Sequence, residues 1–242
     1  MRATTISSKE RNRTMKDLAV IETILRNRHH FFLEIRDGVG LGEKMRAMMI
    51  SAVFFLALYG AVLGSTHSLW QTLSSAVKLP LLFLATLVVC SPTLYFFNVL
   101  FGSNQSLTQN VALILTAITV TAVLLLSFAP IVVFFLLTTA SYQFFKLLNV
   151  GIFATCATVG VIFLAQGMRI VSTAGKEGAT ARRWVLWLWI FVYAFVGSQM
   201  AWTLRPFIGA PSMEFELFRQ LGGNFYTNIF ASIGEILGFF VV

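Results

Sequence analysis

Charged residues are missing from a long internal stretch of the sequence, since Leu79 to Phe145 contains no Asp, Glu, Lys, Arg or His. This absence excludes an ordinary soluble core, which carries charged residues on its water-facing surface. As a single helix the stretch would be roughly 100 Å long, three times the hydrocarbon thickness of a bilayer. We therefore expect two membrane-spanning helices joined by a tight turn at 101–106.

Charge is scarce in the whole chain. Charged residues make up 12% of the sequence and hydrophobic residues 57%, and the mean hydropathy is +0.79. These values predict an integral membrane protein. The formal net charge of +8 would suggest a nucleic-acid partner in a soluble chain, but most of the excess lies beside apolar stretches. We therefore assign this excess to orientation in the membrane and expect no nucleic-acid partner.

Cysteine and histidine occur too rarely, and in the wrong places, for a disulfide framework or a metal cluster. Cys90 and Cys156 both fall inside apolar runs, where a thiol behaves as a small buried hydrophobe. His29 and His30 belong to the polar N-terminal arm, whereas His67 follows the first apolar span. The histidines are therefore expected on opposite sides of the membrane.

The residue patterns of hydrolytic and group-transfer enzymes are also missing. The sequence contains no His-Glu-x-x-His motif and no paired Asp motif. Glu214 and Glu216 lie two residues apart and would share a face only in an extended chain, and with one Arg nearby they favour a solvated ion-pair surface over an acid/base pair. We predict that the protein is not an enzyme, and we assign no catalytic, cofactor-binding or metal-binding residue.

The apolar stretches that are present predict an all-α fold, a polytopic transmembrane helical bundle. We divide the chain into a cytoplasmic arm at 1–44, a five-span membrane domain at 45–204 and a non-cytoplasmic tail at 205–242. The predicted spans cover about 45–64, 79–100, 107–137, 144–168 and 184–204. The tail ends in an apolar segment at 224–242, for which we prefer an interfacial helix over a sixth span.

The basic clusters set the orientation of the spans. With the N-terminal arm in the cytoplasm, the turn at 101–106 and the loop at 169–183 lie on the same side. The loop carries Arg169, Lys176, Arg182 and Arg183 against one acid, so this arrangement obeys the positive-inside rule. We predict a multi-pass protein of the cell membrane, either the cytoplasmic or an internal membrane of a prokaryote, with a cytoplasmic N-terminus.

The N-terminal arm contains an amphipathic pattern between Thr14 and Arg36. Its apolar residues recur at spacings of three, four or seven. They are Leu18, Ile21, Leu25, Phe32 and Ile35. Basic residues in the same segment suit a helix that lies against anionic lipid head groups. Docking to a partner, or to the protein's own membrane domain, would give the same pattern, so these alternatives remain open.

Proline and glycine predict local features of the spans. Pro80 is expected in the first turn of the second span, and Pro92 should kink that span. Pro130 should kink or end the third span. Gly60 and Gly64 form a small-xxx-small pair that allows a neighbouring helix to approach closely.

Several uncharged polar residues inside the spans have two interpretations: they line a pore for neutral solutes, or they form helix–helix hydrogen bonds. They are Asn110, Thr119, Asn149, Gln166 and Gln199. Apart from positions at their edges, the spans lack the carboxylates, histidines and cations that ion-coupled transport requires.

Five strings of the sequence carry a family resemblance that covers most of the chain. They are Glu34–Gly38, Lys78–Pro80, Ser127–Pro130, Gln143–Asn149 and Thr203–Gly209. With them the chain resembles uncharacterised polytopic membrane proteins, best known from cyanobacterial genomes and labelled "actin-binding WH2 domain-containing". This sequence departs from that label, because no Leu-Lys-Lys-Thr type linker is present. The five-span plan is also similar to Yip1-type proteins, which implies a membrane-organising role without any catalytic residue.

These observations favour a non-enzymatic scaffold or accessory subunit that packs against other integral membrane proteins in a larger complex. The expected partners are those membrane proteins, the lipid bilayer, and anionic head groups at the N-terminal arm. The alternative is a small-solute channel or permease component, suggested by the prolines in the second and third spans. A Yip1-like membrane-organising factor is a further alternative.

Overall fold

The structure is a computed structural model that describes residues 19–65, 68–100, 105–139, 141–172, 179–209, 216–218 and 223–237. These residues form helices and connecting segments, with no strand among them, so the prediction of an all-α fold is confirmed. The helices are α1 (19–26), α2 (Arg28–Arg36), α3 (Leu41–Gly64), α4 (Leu69–Leu100), α5 (Leu107–Thr138), α6 (Tyr142–Val171), α7 (Ala179–Thr203) and α8 (Phe225–Ile236).

Five of these helices are long and apolar enough to cross a membrane, as predicted. They are α3, α4, α5, α6 and the Arg183–Thr203 part of α7. Each of them contains at least 21 residues and is therefore about 30 Å long or longer, which matches the hydrocarbon core of a bilayer. The protein is a multi-pass membrane protein.

The start of α4 differs from the prediction. Residues 69–77, which lie outside the predicted spans, belong to the helix, and Pro80 lies in the helix interior instead of the first turn. Ser68 explains the earlier start, because its side chain accepts a hydrogen bond from the backbone N–H of Gln71 at 3.2 Å. This is the interaction of an N-terminal helix cap. In α5 the helix continues through Pro130 to Thr138, so this proline does not end it.

The bundle is built around α3, α4, α5 and α6. Helix α3 packs against both α4 and α5, α5 packs against α6, and α7 packs against α4 at the periphery. Fully buried apolar side chains from three of the inner helices, among them Leu56, Leu94 and Leu113, form the shared core. The peripheral α7 contributes Trp189, whose Nε1 donates to the carbonyl oxygen of Cys90 at 3.1 Å.

A close helix contact involves the small-xxx-small pair of α3, as predicted. A Cβ atom added to Gly64 would lie 2.5 Å from the carbonyl oxygen of Gln71. One added to Gly60 would lie 2.9 Å from the carbonyl carbon of Ser75. Because both positions meet backbone atoms of α4, only residues without a side chain allow these two helices to pack at this distance.

The amphipathic helix of the arm docks onto the protein's own membrane domain. Phe31, Phe32 and Ile35 of α2 are buried, and α2 packs against α5 and α6. The side chain of Gln109 on α5 donates to the carbonyl oxygen of Arg36 at 2.8 Å, which satisfies an acceptor at the end of α2. Of the three placements left open by the sequence, the structure shows self-docking for this apolar face.

The tail carries a short helix at the opposite end of the bundle. With 12 residues, α8 is about 18 Å long, too short to cross a hydrocarbon core of about 30 Å. It packs against α6 and α7. The described part of the tail therefore contains an accessory helix and no sixth span.

Candidate functional site

Two of the polar residues considered as pore candidates, Asn149 and Asn110, form hydrogen bonds between helices. On one side of the core, Tyr59 Oη of α3 donates to Asn149 Oδ1 of α6 at 3.0 Å, and Asn149 Nδ2 donates to the carbonyl oxygen of Phe145 at 2.8 Å. Tyr59 and Asn149 are both buried. A buried amide without hydrogen-bond partners would be costly in an apolar surrounding. The hydrogen bond between Tyr59 and Asn149 avoids this cost and joins α3 to α6.

A second pair joins α4 to α5. Asn98 Nδ2 donates to Asn110 Oδ1 at 2.6 Å, and Asn110 Nδ2 donates to the carbonyl oxygen of Ser106 at 3.1 Å. Thr119 bonds within its own helix, to the carbonyl oxygen of Leu115 at 2.8 Å. These contacts use the polar groups to connect neighbouring helices and satisfy local carbonyls.

The remaining pore candidates lie far apart. Gln166 is half-buried on α6 beside Gly167, which faces Phe32 of the docked α2. Gln199 is half-buried on α7 beside Ser198, whose hydroxyl lies 3.1 Å from that of Tyr226 on α8. The two glutamines thus belong to opposite ends of the bundle, and the structure does not bring the five candidates together.

A different polar cluster, which the sequence analysis missed, lies on one face of α4. Gln71, Ser75 and Lys78 follow one another at spacings of four and three, so they share a face of the helix. All three are buried, and Lys78 is only 4% exposed. We call these three residues the tail anchor, because their side chains all bind the segment that follows α7.

The tail anchor holds backbone carbonyl groups. Gln71 Nε2 donates to the carbonyl oxygen of Pro206 at 2.9 Å, and Ser75 Oγ donates to that of Phe207 at 2.6 Å. Lys78 Nζ donates to the carbonyl oxygen of Leu217. The carbonyl groups of irregular backbone have no hydrogen-bond partner within a helix. In an apolar environment each unsatisfied carbonyl group costs roughly several kcal/mol. The three donors satisfy these acceptors.

The ammonium group of Lys78 also has an aromatic neighbour. It lies 4.9 Å from the centre of the Phe218 ring, within the range of a cation–π interaction. Among the described residues no carboxylate lies within ion-pair distance of Lys78. Its charge is therefore accommodated by carbonyl dipoles and an aromatic ring, an arrangement suited to holding a chain segment in place.

Lys146 binds the tail at a second point. Its Nζ donates to Asn228 Oδ1 of α8 at 3.0 Å, and the nearby Gln143 Nε2 donates to Glu235 Oε2 at 2.7 Å. Lys78 and Lys146 are the two charged residues that border the uncharged stretch of the sequence. Both use their charge to bind the C-terminal tail.

The opposite end of the bundle carries the docked α2 and several charged side chains. Lys44 Nζ lies 3.0 Å from Glu34 Oε2, which ties the start of α3 to α2. At the end of α2, a hydrogen bond from the exposed Arg36 guanidinium lowers the pKa of the Asp37 carboxyl below its usual value, with the Coulombic attraction as a smaller cause. Both side chains of this pair are exposed.

The middle of the outward face of α6 consists of small residues. Gly151, Ala154, Thr155 and Thr158 are exposed and follow one another at helical spacing, and we call them the small-residue face. A Cβ atom added to Gly151 would meet nothing within 4 Å. Gly160 of the same helix is covered, because its Cβ would lie 2.8 Å from the carbonyl oxygen of Ala117.

Of the residues singled out for their chemistry, those that the structure describes do not assemble into a site. His29 and His30 are exposed on α2, and His30 Nδ1 lies 3.6 Å from Glu34 Oε1. Glu216 is exposed, whereas His67 and Glu214 lie outside the described residues. No three His, Cys, Asp or Glu residues are grouped to hold a metal ion in the described ranges.

Fold and contacts together define a class: an all-α, multi-pass membrane bundle with a helix docked at one end and a tail held at the other. Comparisons with protein-family models, curated proteins and solved structures found no match. The resemblance to the WH2-labelled membrane proteins and the likeness to Yip1-type proteins therefore stay predictions.

Proposed function

We propose that this protein is a non-enzymatic scaffold or accessory subunit that packs laterally against another integral membrane protein in a larger complex. The observation that carries the proposal is the exposed small-residue face of α6. Small residues let two helix backbones approach closely, which is a main source of helix association in lipid. At Gly151 the space that a partner helix would fill is open.

The other small residues of the bundle support this argument. Gly64 is covered by α4 and Gly160 by α5, so inside this protein glycines serve as helix contact points. A glycine in a helix interior costs roughly 0.5–1 kcal/mol relative to alanine, which a close helix contact offsets. The hydroxyls of Thr155 and Thr158 already bond to carbonyl oxygens of their own helix, each at 2.8 Å. The face is therefore suited to packing and not to binding a polar solute.

The pore candidates favour the same function. Tyr59–Asn149 and Asn98–Asn110 are interhelical hydrogen bonds, which supports a packed bundle over the channel or permease alternative. For orientation, we propose a cytoplasmic N-terminus in a prokaryotic cell membrane, because exposed arginines cluster at the α2 end. They are Arg28, Arg46, Arg169 and Arg183.

The proposal is tested with Gly151→Leu, which places a large side chain in the middle of the small-residue face. Overpacking of a close contact costs about 1–3 kcal/mol, so we expect association to weaken about fivefold or more. The measurement is the size of the complex on native gels after extraction in mild detergent. Partners recovered with the wild type are then quantified in the variant.

The matched control is Ala194→Leu, which also introduces a leucine side chain in place of a small residue, at an exposed position of α7. We expect this variant to keep the wild-type complex. The proposal is wrong if the wild type migrates alone, if Gly151→Leu leaves the complex intact, or if the Ala194→Leu control disrupts it equally.

A further inference from the structure

The first turns of α7 present a polar and aromatic recess. Thr180, Arg183, Trp184 and Trp187 follow one another at helical spacing and line an open recess of about 480 Å³. All four are exposed, Trp184 to 74%. The volume lies in the range of small-molecule sites, about 300–1,000 Å³. We call this feature the α7 recess.

The chemistry of the α7 recess suits an anion. Arg183 forms no ion pair with any described residue, so its guanidinium is available to a ligand. A guanidinium group donates two parallel hydrogen bonds to a phosphate, and the Thr180 hydroxyl is a further donor. Tryptophan side chains favour the level of the lipid head groups, which is where the start of a spanning helix lies.

Below the recess the same face of α7 becomes entirely apolar. Leu188, Phe191 and Phe195 continue the face at helical spacing and are exposed, Phe191 to 70%. From Arg183 to Phe195 the helix rises about 18 Å, close to the thickness of one leaflet, about 15 Å. A cation, two indoles and an apolar stripe are thus arranged in the order of a phospholipid's head group, interfacial region and acyl chain.

We propose that the α7 recess binds the head group of an anionic phospholipid whose acyl chain lies along Leu188, Phe191 and Phe195. Charge complementarity at Arg183 selects an anionic over a zwitterionic lipid. The aromatic stripe differs from the small-residue face of α6, because bulky side chains suit a flexible acyl chain better than a closely packed helix. The site lies on a different helix from the proposed protein interface, so the two proposals are tested separately.

The experiment is native mass spectrometry of the full-length protein in detergent, with equal amounts of phosphatidylglycerol and phosphatidylcholine of identical acyl chains. Each basic residue near a membrane surface contributes roughly fivefold to binding of anionic lipid. We expect the wild type to retain phosphatidylglycerol with about this preference. Arg183→Gln should lose the preference, and Arg183→Lys should keep part of it.

Arg169→Gln is the matched control, since Arg169 is an exposed arginine at the same end of the bundle, on α6. A second measurement uses lipids with brominated acyl chains, which quench nearby tryptophans. Greater quenching by brominated phosphatidylglycerol should disappear in the Trp184→Phe, Trp187→Phe double variant. Equal retention of both lipids by the wild type, an unchanged preference in Arg183→Gln, or an equal loss in Arg169→Gln overturns the proposal.

Discussion

Lys78→Met should release the C-terminal tail from the bundle. In the structure, the ammonium group of Lys78 donates to the carbonyl oxygen of Leu217 and lies 4.9 Å from the Phe218 ring. Methionine has a similar length and fills the same space, but it neither donates a hydrogen bond nor carries a charge. The substitution therefore removes the interactions with the tail without opening a large cavity.

The free energy that tail binding loses in Lys78→Met follows from the two interactions that the substitution removes. A hydrogen bond from a charged donor contributes about 1.5–3 kcal/mol, and a cation–π interaction about 0.5–2 kcal/mol. Even the lower values sum to about 2 kcal/mol, which corresponds to roughly a 30-fold increase in opening of the tail. The stability of the whole bundle should change less, because burying the lysine charge carries a desolvation cost that methionine removes.

Hydrogen–deuterium exchange of peptides covering 206–209 and 216–218 measures this opening, and the melting temperature in detergent monitors the whole bundle. Val77→Met is the matched control, because Val77 is exposed on the same helix, next to Lys78. Unchanged exchange of both peptides in Lys78→Met would refute the tail anchor. Faster exchange throughout the bundle would show that Lys78 stabilises the whole fold instead of the tail.

Three further predictions concern the bundle and α2. Gly64→Leu should lower the unfolding free energy by about 1–3 kcal/mol, measured as a lower melting temperature, because its Cβ would lie 2.5 Å from the Gln71 carbonyl oxygen. Tyr59→Phe should lower the unfolding free energy by about 0.6 kcal/mol, again measured as a lower melting temperature, because the Asn149 side chain on α6 loses its hydrogen-bond donor. The lowered pKa of Asp37 means that its pairing with Arg36 contributes above the usual Asp pKa and is lost as the pH falls through the folded value. After correction for the intrinsic amide exchange rate at each pH, protection at the end of α2 should therefore fall below about pH 4, and Asp37→Asn should abolish this change in protection.

The features that could be predicted from the sequence are those with a local signal. Absence of charge from Leu79 to Phe145 predicts apolar surroundings, whichever helices pack against the stretch. Gly60 and Gly64 predict a close helix contact because only a missing side chain permits one. The predicted start of α4 was wrong because two helix-start signals compete in this region. Pro80 also suits a first turn, but the Ser68 cap begins the helix earlier.

The tail anchor could not be predicted in the same way, because its acceptors are backbone carbonyl groups. Every residue has one, so Pro206, Phe207 and Leu217 carry no sequence signal for this role. The donors Gln71 and Lys78 do share a helix face, but this pattern appears only once 69–77 is known to be helical. Identifying the cluster therefore required the three-dimensional contacts of the tail.

The two lysines that border the uncharged stretch connect this architecture to the proposed function. A lysine near the end of a spanning helix commonly extends towards the lipid head groups, but Lys78 and Lys146 are turned to the tail instead. The described segments of the tail, α8 among them, therefore lie at one end of the bundle, and α2 occupies part of the other. With protein segments docked at both ends, the outward faces of the spanning helices, those of α6 and α7 among them, are left to meet lipid or another membrane protein. This arrangement favours lateral association over passage of a solute from one end to the other.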